Sequence, residues 1–489
     1  MPDCSSALES AASLLVRQRA PTPPLSACER RGLRSIPSSF RIGWLVALLL
    51  SAVHVLFAEA LPAGDLWLES TDTRALEAGD PAILAALKPI WRKHRLPAIA
   101  GGIITRDGLD RLATLGVRRT GTRVAVTLAD QWHLGSETKA MTATLTARLV
   151  EQGSGLRWDQ TVAEVFPELA ETFDPGMKPV TLEALLNHRA GIAKDLDWHS
   201  LVATGHDVRE QRVQVVKTAM GRPSRNTSGP VYHYSNVGYV IAGAMIERVT
   251  GQTWEQVIRQ QLFTPLGMIA TGFGGTGTLG LLDQPWGHLR AGQPVPHNGP
   301  ATDNPPVLGP AGRVHASLQD WARFLTDQLR GAGGQSGFLQ AASYSKLFTA
   351  PADGDYALGW LTANREWGGG TVYTHAGCNT KNYAAAWLAR FHRLALSEVF
   401  CLNNLSCRIL DCQRHFVGCA IQQNATNGLP IGQRQIFAGH HDIFADNPCR
   451  LHPLGFVIAI QQLAQRSIQL LNPIDRIQLR QLRGDLRIV

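Results

Sequence analysis

The sequence predicts an α+β fold, one antiparallel sheet with a helical subdomain inserted into it, and three observations carry that expectation. Two short runs that end in turn residues, "AIAGGIITRDG" (98–108) and "LATLGVRRTG" (112–121), form a candidate strand pair early in the chain. A second group of candidate strands, "DYALGWLTA" (355–363), "TVYTHAG" (371–377) and "NYAAAWLA" (382–389), comes late. Between the two groups the apolar residues recur at helical spacing, so the strands flank a long helical middle.

Taken in chain order, residues 61–85 read as a linker and 86–400 as the domain, with "PAILAALKPIWRKHRLP" (81–97) supplying a helix at the junction. After the first strand pair, a helix begins near Ser136 and runs to about Gln152. "VTLEALLNHRAGI" (180–192) is a short helix closed by a glycine turn, and "YSNVGYVIAGAMIERVTG" (234–251) is a turn followed by a helix that stops at Gly251. "TWEQVIRQQLFTPLGM" (253–268) is a further helix broken at Pro-Leu-Gly. "SLQDWARFLTDQLRG" (317–331) opens on a serine cap with an aspartate three residues later. Trp132, Trp158, Trp254, Trp321 and Trp360 are assigned to the core.

The bulk properties narrow the function. The chain has 489 residues, is 44% hydrophobic and 18% charged, and carries a net charge of +8. Most of that charge is scattered arginine, with no zinc-finger spacing and no aromatic–basic interleaving, which argues against a nucleic-acid partner. Eight cysteines stand at 4, 28, 378, 401, 407, 412, 419 and 449, so the body between 29 and 377 has no disulfide framework, and the tail spacings do not match a zinc site. "GFGGTG" (272–277) follows no strand–helix pattern and is not read as a dinucleotide loop. Residues 42–60, "IGWLVALLLSAVHVLFAEA", follow Arg41, are apolar for about 17 residues and end in Ala58-Glu59-Ala60. This is the pattern of a signal peptide, short of the roughly 20 residues of a spanning helix. Export to the periplasm or outside the cell is expected, with a membrane tether through 42–60 as the alternative. Residues 1–41 are a Pro/Ser/Arg-rich lead expected to be disordered.

Three short motifs carry chemistry. In "HLGSETKAM" Ser136 and Lys139 stand at i and i+3 at a helix start, on one face. Serine needs a base to act as a nucleophile, and a lysine is one only when burial or positive potential keeps it neutral. Alone, Ser-x-x-Lys also describes two polar residues on any first turn. In "YHYSNVGY" Tyr234 and Asn236 place a phenol and an amide just before a helix, where the phenol can relay a proton and the amide can hold the lysine and a substrate amide. In "THAGCNTKNY" His375 and Gly377 lie on a candidate strand, where the glycine admits a ligand close to the backbone. The N–H of Cys378, paired with that of Ser136, would make an oxyanion hole.

In this order and spacing the motifs resemble those of the serine β-lactamase and penicillin-binding-protein superfamily, in its class C-like branch of β-lactamases, D,D-peptidases, D-aminopeptidases and esterases. Ser136 and Lys139 match the first motif, Tyr234 and Asn236 the second, and His375 and Gly377 the third, where many members carry Lys-Thr-Gly. "LLNHRAGI" (185–192), "FTPLGM" (263–268), "SLQDWARF" (317–324) and "YALGW" (356–360) are similar to secondary landmarks, and the likeness runs from about 90 to 389. It implies a β-lactamase/transpeptidase-like fold and an acyl-enzyme mechanism without metal or cofactor. In that mechanism Ser136 attacks, Lys139 and Tyr234 manage its proton, and His375, Gly377 and Cys378 bind substrate and oxyanion. His188 is read as bracing its loop. Histidine in place of the third-motif lysine favours a peptide or ester substrate over a β-lactam, because it is mostly neutral at pH 7. The rival reading is a non-catalytic sensor or binding module on the same fold.

The tail departs from this picture. From 401 to 489 there is no lysine and no glutamate, yet there are eleven glutamines and five cysteines. Alternation fades after Leu388, so the region after about Arg390 is expected not to be the family's own C-terminus, through a shifted reading frame or a fused segment. The last strand and closing helix of the fold would then be missing, unless "FVIAIQQLAQRSIQLL" (456–471) forms a helix that covers part of the sheet.

Overall fold

The computed structural model of the chain describes residues 74–226, 229–289, 292–296, 302–390 and 394–401. The lead 1–41, the apolar segment 42–60, the first part of the linker and the tail from 402 lie outside them. Among the described residues no helix is long and apolar enough to cross a membrane.

Strands β1 (Glu77–Gly79), β2 (Ala98–Thr105) and β3 (Gly108–Gly116) precede a helical middle. Strands β9 (Leu361–Arg365), β10 (Gly370–Cys378), β11 (Asn382–Ala389) and β12 (Leu394–Cys401) follow it. Together the described strands form a seven-stranded sheet in the order β1-β3-β2-β12-β11-β10-β9, antiparallel throughout. Residues 77–85, expected as the end of a linker, already belong to the domain: β1 pairs with β3, and helix α1 (Pro81–His94) begins there. Asp80 caps α1 by accepting from the N–H groups of Ala82 and Ile83, and Pro81 fits the first turn, where a missing N–H costs nothing.

Both faces of the sheet are covered, and β2 shows how. Its residues alternate between two cores: Ala98, Ala100 and Ile104 join the larger one, and Ile99 and Ile103 the smaller. The smaller core is closed by Leu87, Ile90 and Trp91 of α1, and Gly101 lets that helix come close, since a Cβ there would lie 3.1 Å from Leu87 Cδ2. The larger core is closed by helix α2 (Thr138–Glu151) and, later in the chain, by Leu318, Trp321 and Leu325. Trp132, Trp254, Trp321 and Trp360 are buried, and Trp158 packs partly buried against the same core, as expected.

β12, at the centre of the sheet, corrects the sequence expectation that the last strand is missing. β12 pairs with β11 over its whole length and with β2 from Leu394 to Phe400, so it joins the two halves of the sheet. Its run "LALSEVFC" lacks the polar–apolar alternation by which a strand is read from sequence; what marks it as a strand is its pairing on both sides. Ser397 Oγ accepts from Trp321 Nε1 at 2.9 Å. The expected loss of a closing helix, and the helix proposed at 456–471, lie outside the described residues.

One further strand is displaced. "DYALGWLTA" forms a strand only from Leu361. Gly359, at φ 85°, turns the preceding segment so that Ala357 N–H donates to Trp360 O. A Cβ on Gly359 would lie 2.5 Å from Ala140 Cα, so the turn is pressed against α2.

In the helical middle are α3 (Leu182–Leu186), α4 (Val208–Met220) and α5 (Asn236–Thr250), followed by α6 (Leu318–Ala332). Ser235 Oγ accepts from Gly238 N–H to cap α5, and Gly251, at φ 71°, ends it. The helix expected over 253–268 is regular from Trp254 to Ile258 and then widens into a π-turn, Arg259–Phe263. A small sheet of β4 (Gln131–His133), β5 (Thr271–Phe273) and β8 (Val314–Ser317) leads into α2, with β8 between the other two. β6 (Gly287–His288) and β7 (Pro294–Val295) form a short hairpin. Arg212 of α4 is buried in an ion pair with Glu247 of α5 and another with Glu255, and it donates to the carbonyls of Pro306 and Val307. This fixes the start of segment 306–312, which passes between α2 and α5.

Candidate active site

Ser136 lies in a 3₁₀ turn, Gly135–Glu137, that runs directly into α2. Lys139, one helical turn on, sends its Nζ to Ser136 Oγ at 3.0 Å. Tyr234, from the turn before α5, donates its O–H to the same oxygen at 2.8 Å. Asn236 Oδ1 accepts from Lys139 Nζ at 2.9 Å. The first two motifs, separated by about a hundred positions, thus meet: Lys139 and Tyr234 at the Ser136 hydroxyl, and Asn236 at the lysine amine.

The third partner of Lys139 has no sequence signal as a side chain. It is the carbonyl oxygen of Ala311, 2.6 Å from Nζ. Segment 306–312 brings it there because Gly243 leaves room: a Cβ on Gly243 would lie 2.2 Å from Pro310 Cγ. Thr142 Oγ1 donates to Pro310 O at 2.8 Å from the α2 side. The run "GPAG" (309–312) is the trace of this packing in the sequence.

These partners decide what the amine can do. Lys139 is wholly buried, and burial lowers its pKa to about 7, with Asp195 opposing the shift and Lys194 adding to it. A neutral amine has two N–H groups and one lone pair. Asn236 Oδ1 and Ala311 O accept the two N–H groups, which leaves the lone pair for the Ser136 hydroxyl. Asn236 is itself oriented by Asp195, whose Oδ1 accepts from Nδ2 at 2.8 Å. One of the two amide hydrogens is thereby directed to Asp195.

His188 braces the second motif. Its backbone is left-handed, φ 61°, its Nδ1 accepts from Ser235 N–H at 3.1 Å, and its ring packs 4.4 Å from that of Tyr234. Tyr356 stands beside it, with ring centroids 4.5 Å apart.

His375 is on β10 as expected, but it is buried rather than open. Its Nδ1 lies 2.9 Å from Ala376 O, an acceptor, so Nδ1 carries the proton and Nε2 accepts from Tyr356 O–H at 3.2 Å. Burial pushes its pKa down to about 3, with the nearby Lys139 adding to the shift. Position 375 therefore offers no cation at neutral pH.

Gly377 sits where no side chain fits: a Cβ would lie 1.9 Å from Leu134 O and 2.6 Å from Ser136 N. From the other side, Gly135, at φ 53°, has Cys378 N 2.4 Å from its absent Cβ. Two glycines face to face bring the backbone of Cys378 against that of Ser136, the pairing an oxyanion hole requires. The Cys378 thiol is turned elsewhere and accepts from Thr380 N–H at 3.2 Å.

The family profile described as Beta-lactamase matches residues 83–396 of this chain. The chain belongs to the beta-lactamase family. Within it, penicillin-binding protein 4 of Amycolatopsis lactamdurans is 36% identical over 176 residues, 36% of this chain and 44% of that protein. The unguisins hydrolase of Aspergillus campestris is 27% identical over 262 residues, 47% of this chain and 45% of that one. The chain thus spans less than half the length of these two relatives. Among solved structures, the octameric penicillin-binding protein homologue of Pyrococcus abyssi superposes with a TM-score of 0.55 at 20% identity, covering 66% of this chain and 74% of its own. The D-alanine carboxypeptidase AmpC of Burkholderia cenocepacia gives a TM-score of 0.52 at 18% identity, over 65% and 92% of the two chains. At such identities they establish the shared fold, the β-lactamase/transpeptidase-like α+β arrangement expected of this beta-lactamase family chain.

Proposed function

We propose that the chain is a serine acyl-hydrolase that works through an acyl-enzyme on a peptide or ester carbonyl, in preference to a β-lactam. One observation carries the reading: Ser136 Oγ lies within hydrogen-bond reach of both a buried amine and a phenol. Neutral Lys139 takes the Ser136 proton as Oγ attacks the carbonyl. The developing oxyanion is received by the N–H groups of Ser136 and Cys378. Collapse expels the leaving group, protonated through Tyr234, and water then attacks the acyl-enzyme by the same path in reverse. Neither metal nor cofactor enters. The apolar segment 42–60 adds that the enzyme acts after export, free or tethered to the membrane.

Mass spectrometry after treatment with a fluorophosphonate tests the assignment: the adduct should map to Ser136. The rate of labelling should also follow pH in one direction. Lys139 is a base only when neutral and titrates near 7, so labelling should rise with pH to a plateau, with its midpoint at about that value. A rate flat from pH 5.5 to 8.5 would exclude Lys139 as the base.

The preference against acidic substrates rests on the neutral His375. His375→Lys should raise the ratio of kcat/KM for a carboxylate-bearing ester over a neutral one by about tenfold, a gain of ~1.4 kcal/mol. The new cation should also move the labelling midpoint below that of the wild type, since it disfavours protonated Lys139. An unchanged ratio would place residue 375 away from the substrate's acid group.

A further inference from the structure

Behind the candidate oxyanion hole lies a buried carboxylate that none of the three motifs contains. Asp303 Oδ1 is 2.8 Å from His133 Nε2 and accepts from Asn379 Nδ2 at 2.9 Å. Asp303 Oδ2 accepts from Arg313 Nε at 3.3 Å. The side chains of His133 and Asp303 are 2% and 5% exposed, so this is an interior ion site and not a surface pair.

The direction of each bond can be assigned. Gly135 N–H donates to His133 Nδ1 at 3.0 Å. That nitrogen is therefore unprotonated, and the ring's proton is on Nε2, the nitrogen 2.8 Å from Asp303 Oδ1. Asn379 turns its amide the other way: Nδ2 goes to Asp303, while Oδ1 accepts from the N–H groups of Lys381 and Asn382 at 3.2 and 2.8 Å. Burial opposes a charge on Asp303, but His133, Arg313 and Asn379 together hold its pKa down to about 2.

The two arms end at equivalent places. One reaches Gly135, the residue before Ser136; the other reaches Asn379, the residue after Cys378. We propose that Asp303 is a positioning residue for acyl transfer: through His133 and Asn379 it clamps both backbone segments that carry the oxyanion-hole N–H groups. The clamp holds a spacing that the chain would not keep by itself. Gly135 is held left-handed with Cys378 N 2.4 Å from where its Cβ would be, and Gly312 closes the same turn from behind, its own absent Cβ lying 3.6 Å from Gly135 C. An oxyanion hole acts through preorganised donors, so a small loosening of either segment costs rate more than it costs ground-state binding.

This inference rests on Ser136 being the nucleophile, and the test reports on that separately. The full chain and its Asp303→Asn, Asn379→Ala and Ser136→Ala variants are compared for kcat and KM on p-nitrophenyl acetate. Their affinity for phenylboronic acid, which adds to a serine hydroxyl as a tetrahedral anion, is also measured. Asp303→Asn keeps the shape but removes the charge and one acceptor. It should lower kcat by about 100-fold with KM within about twofold, and weaken boronate binding by a similar factor. Asn379→Ala, which cuts one arm only, should lower both by about tenfold, and it decides the matter alone if Asp303→Asn does not fold. Folded variants whose kcat and boronate affinity stay within threefold of wild type overturn the clamp, even if their melting temperature falls. Boronate binding equal in wild type and Ser136→Ala overturns the nucleophile assignment and the clamp with it.

Discussion

Ser136→Ala should give a folded protein that hydrolyses neither p-nitrophenyl esters nor nitrocefin at a rate above about one ten-thousandth of the wild type. The loss is large because the hydroxyl is the atom on which the other groups converge. Lys139 Nζ and Tyr234 O–H both end on Ser136 Oγ, at 3.0 and 2.8 Å, so without it both lose the atom they serve. The fold should survive, because Ser136 is half-buried and alanine suits the turn that enters α2. Far-UV circular dichroism and the residual rate together check this. A folded variant within threefold of wild-type activity would falsify the role of Ser136.

Lys139→Ala and Tyr234→Phe should each reduce acylation by about a thousandfold, and the double variant should be little worse than the poorer single one. Both groups act on one proton, so removing the second from a path already broken has little left to remove. The two also touch, with Lys139 Nζ 4.9 Å from the centroid of the Tyr234 ring. Each has its own anchors as well, Asn236 and Ala311 for Lys139 and the His188 ring for Tyr234, so each should stay in place when the other is replaced. Tyr234→Phe is the cleaner of the two, because the phenyl ring keeps the 4.4 Å contact with His188 and only the hydroxyl is lost. Acylation rates from the single-turnover burst of p-nitrophenol give the four corners of the cycle. Losses that multiply would mean that the amine and the phenol act on different steps.

Much of the site is legible in the sequence because its parts are local. A serine and a lysine three apart on a helix share a face whatever surrounds them, and the Tyr-Ser-Asn turn is announced by the helix cap at Ser235. Gly377 is legible as a place of close approach, although only the fold reveals that Gly135 faces it. What the sequence hides is whatever depends on distant segments meeting. The Ala311 carbonyl that completes the lysine's shell is backbone and leaves no side-chain signal. The tyrosine at 356 reads as part of a strand, but it lies in a turn bent by Gly359 and reaches His375 from there. The burial that makes Lys139 a base and His375 a neutral ring is likewise a property of the packed whole, absent from either motif.

The same holds on a larger scale for β12, and it bears on how the domain comes to be made. Its partners are β11, which ends at Ala389, and β2, which ends at Thr105. During synthesis the β2–β3 pair emerges early and the β9–β10–β11 meander late, and none of the described strands between them pairs with both. Only when residues 394–401 leave the ribosome can the halves zip together. The search for so remote a partner is slow, and two bare strand edges are exposed while it lasts. A message cut short before that point would yield chains with complementary open edges, each able to accept a strand from its neighbour. The eight-residue strand, the last of the described sheet, is therefore also the piece whose arrival closes both open edges at once.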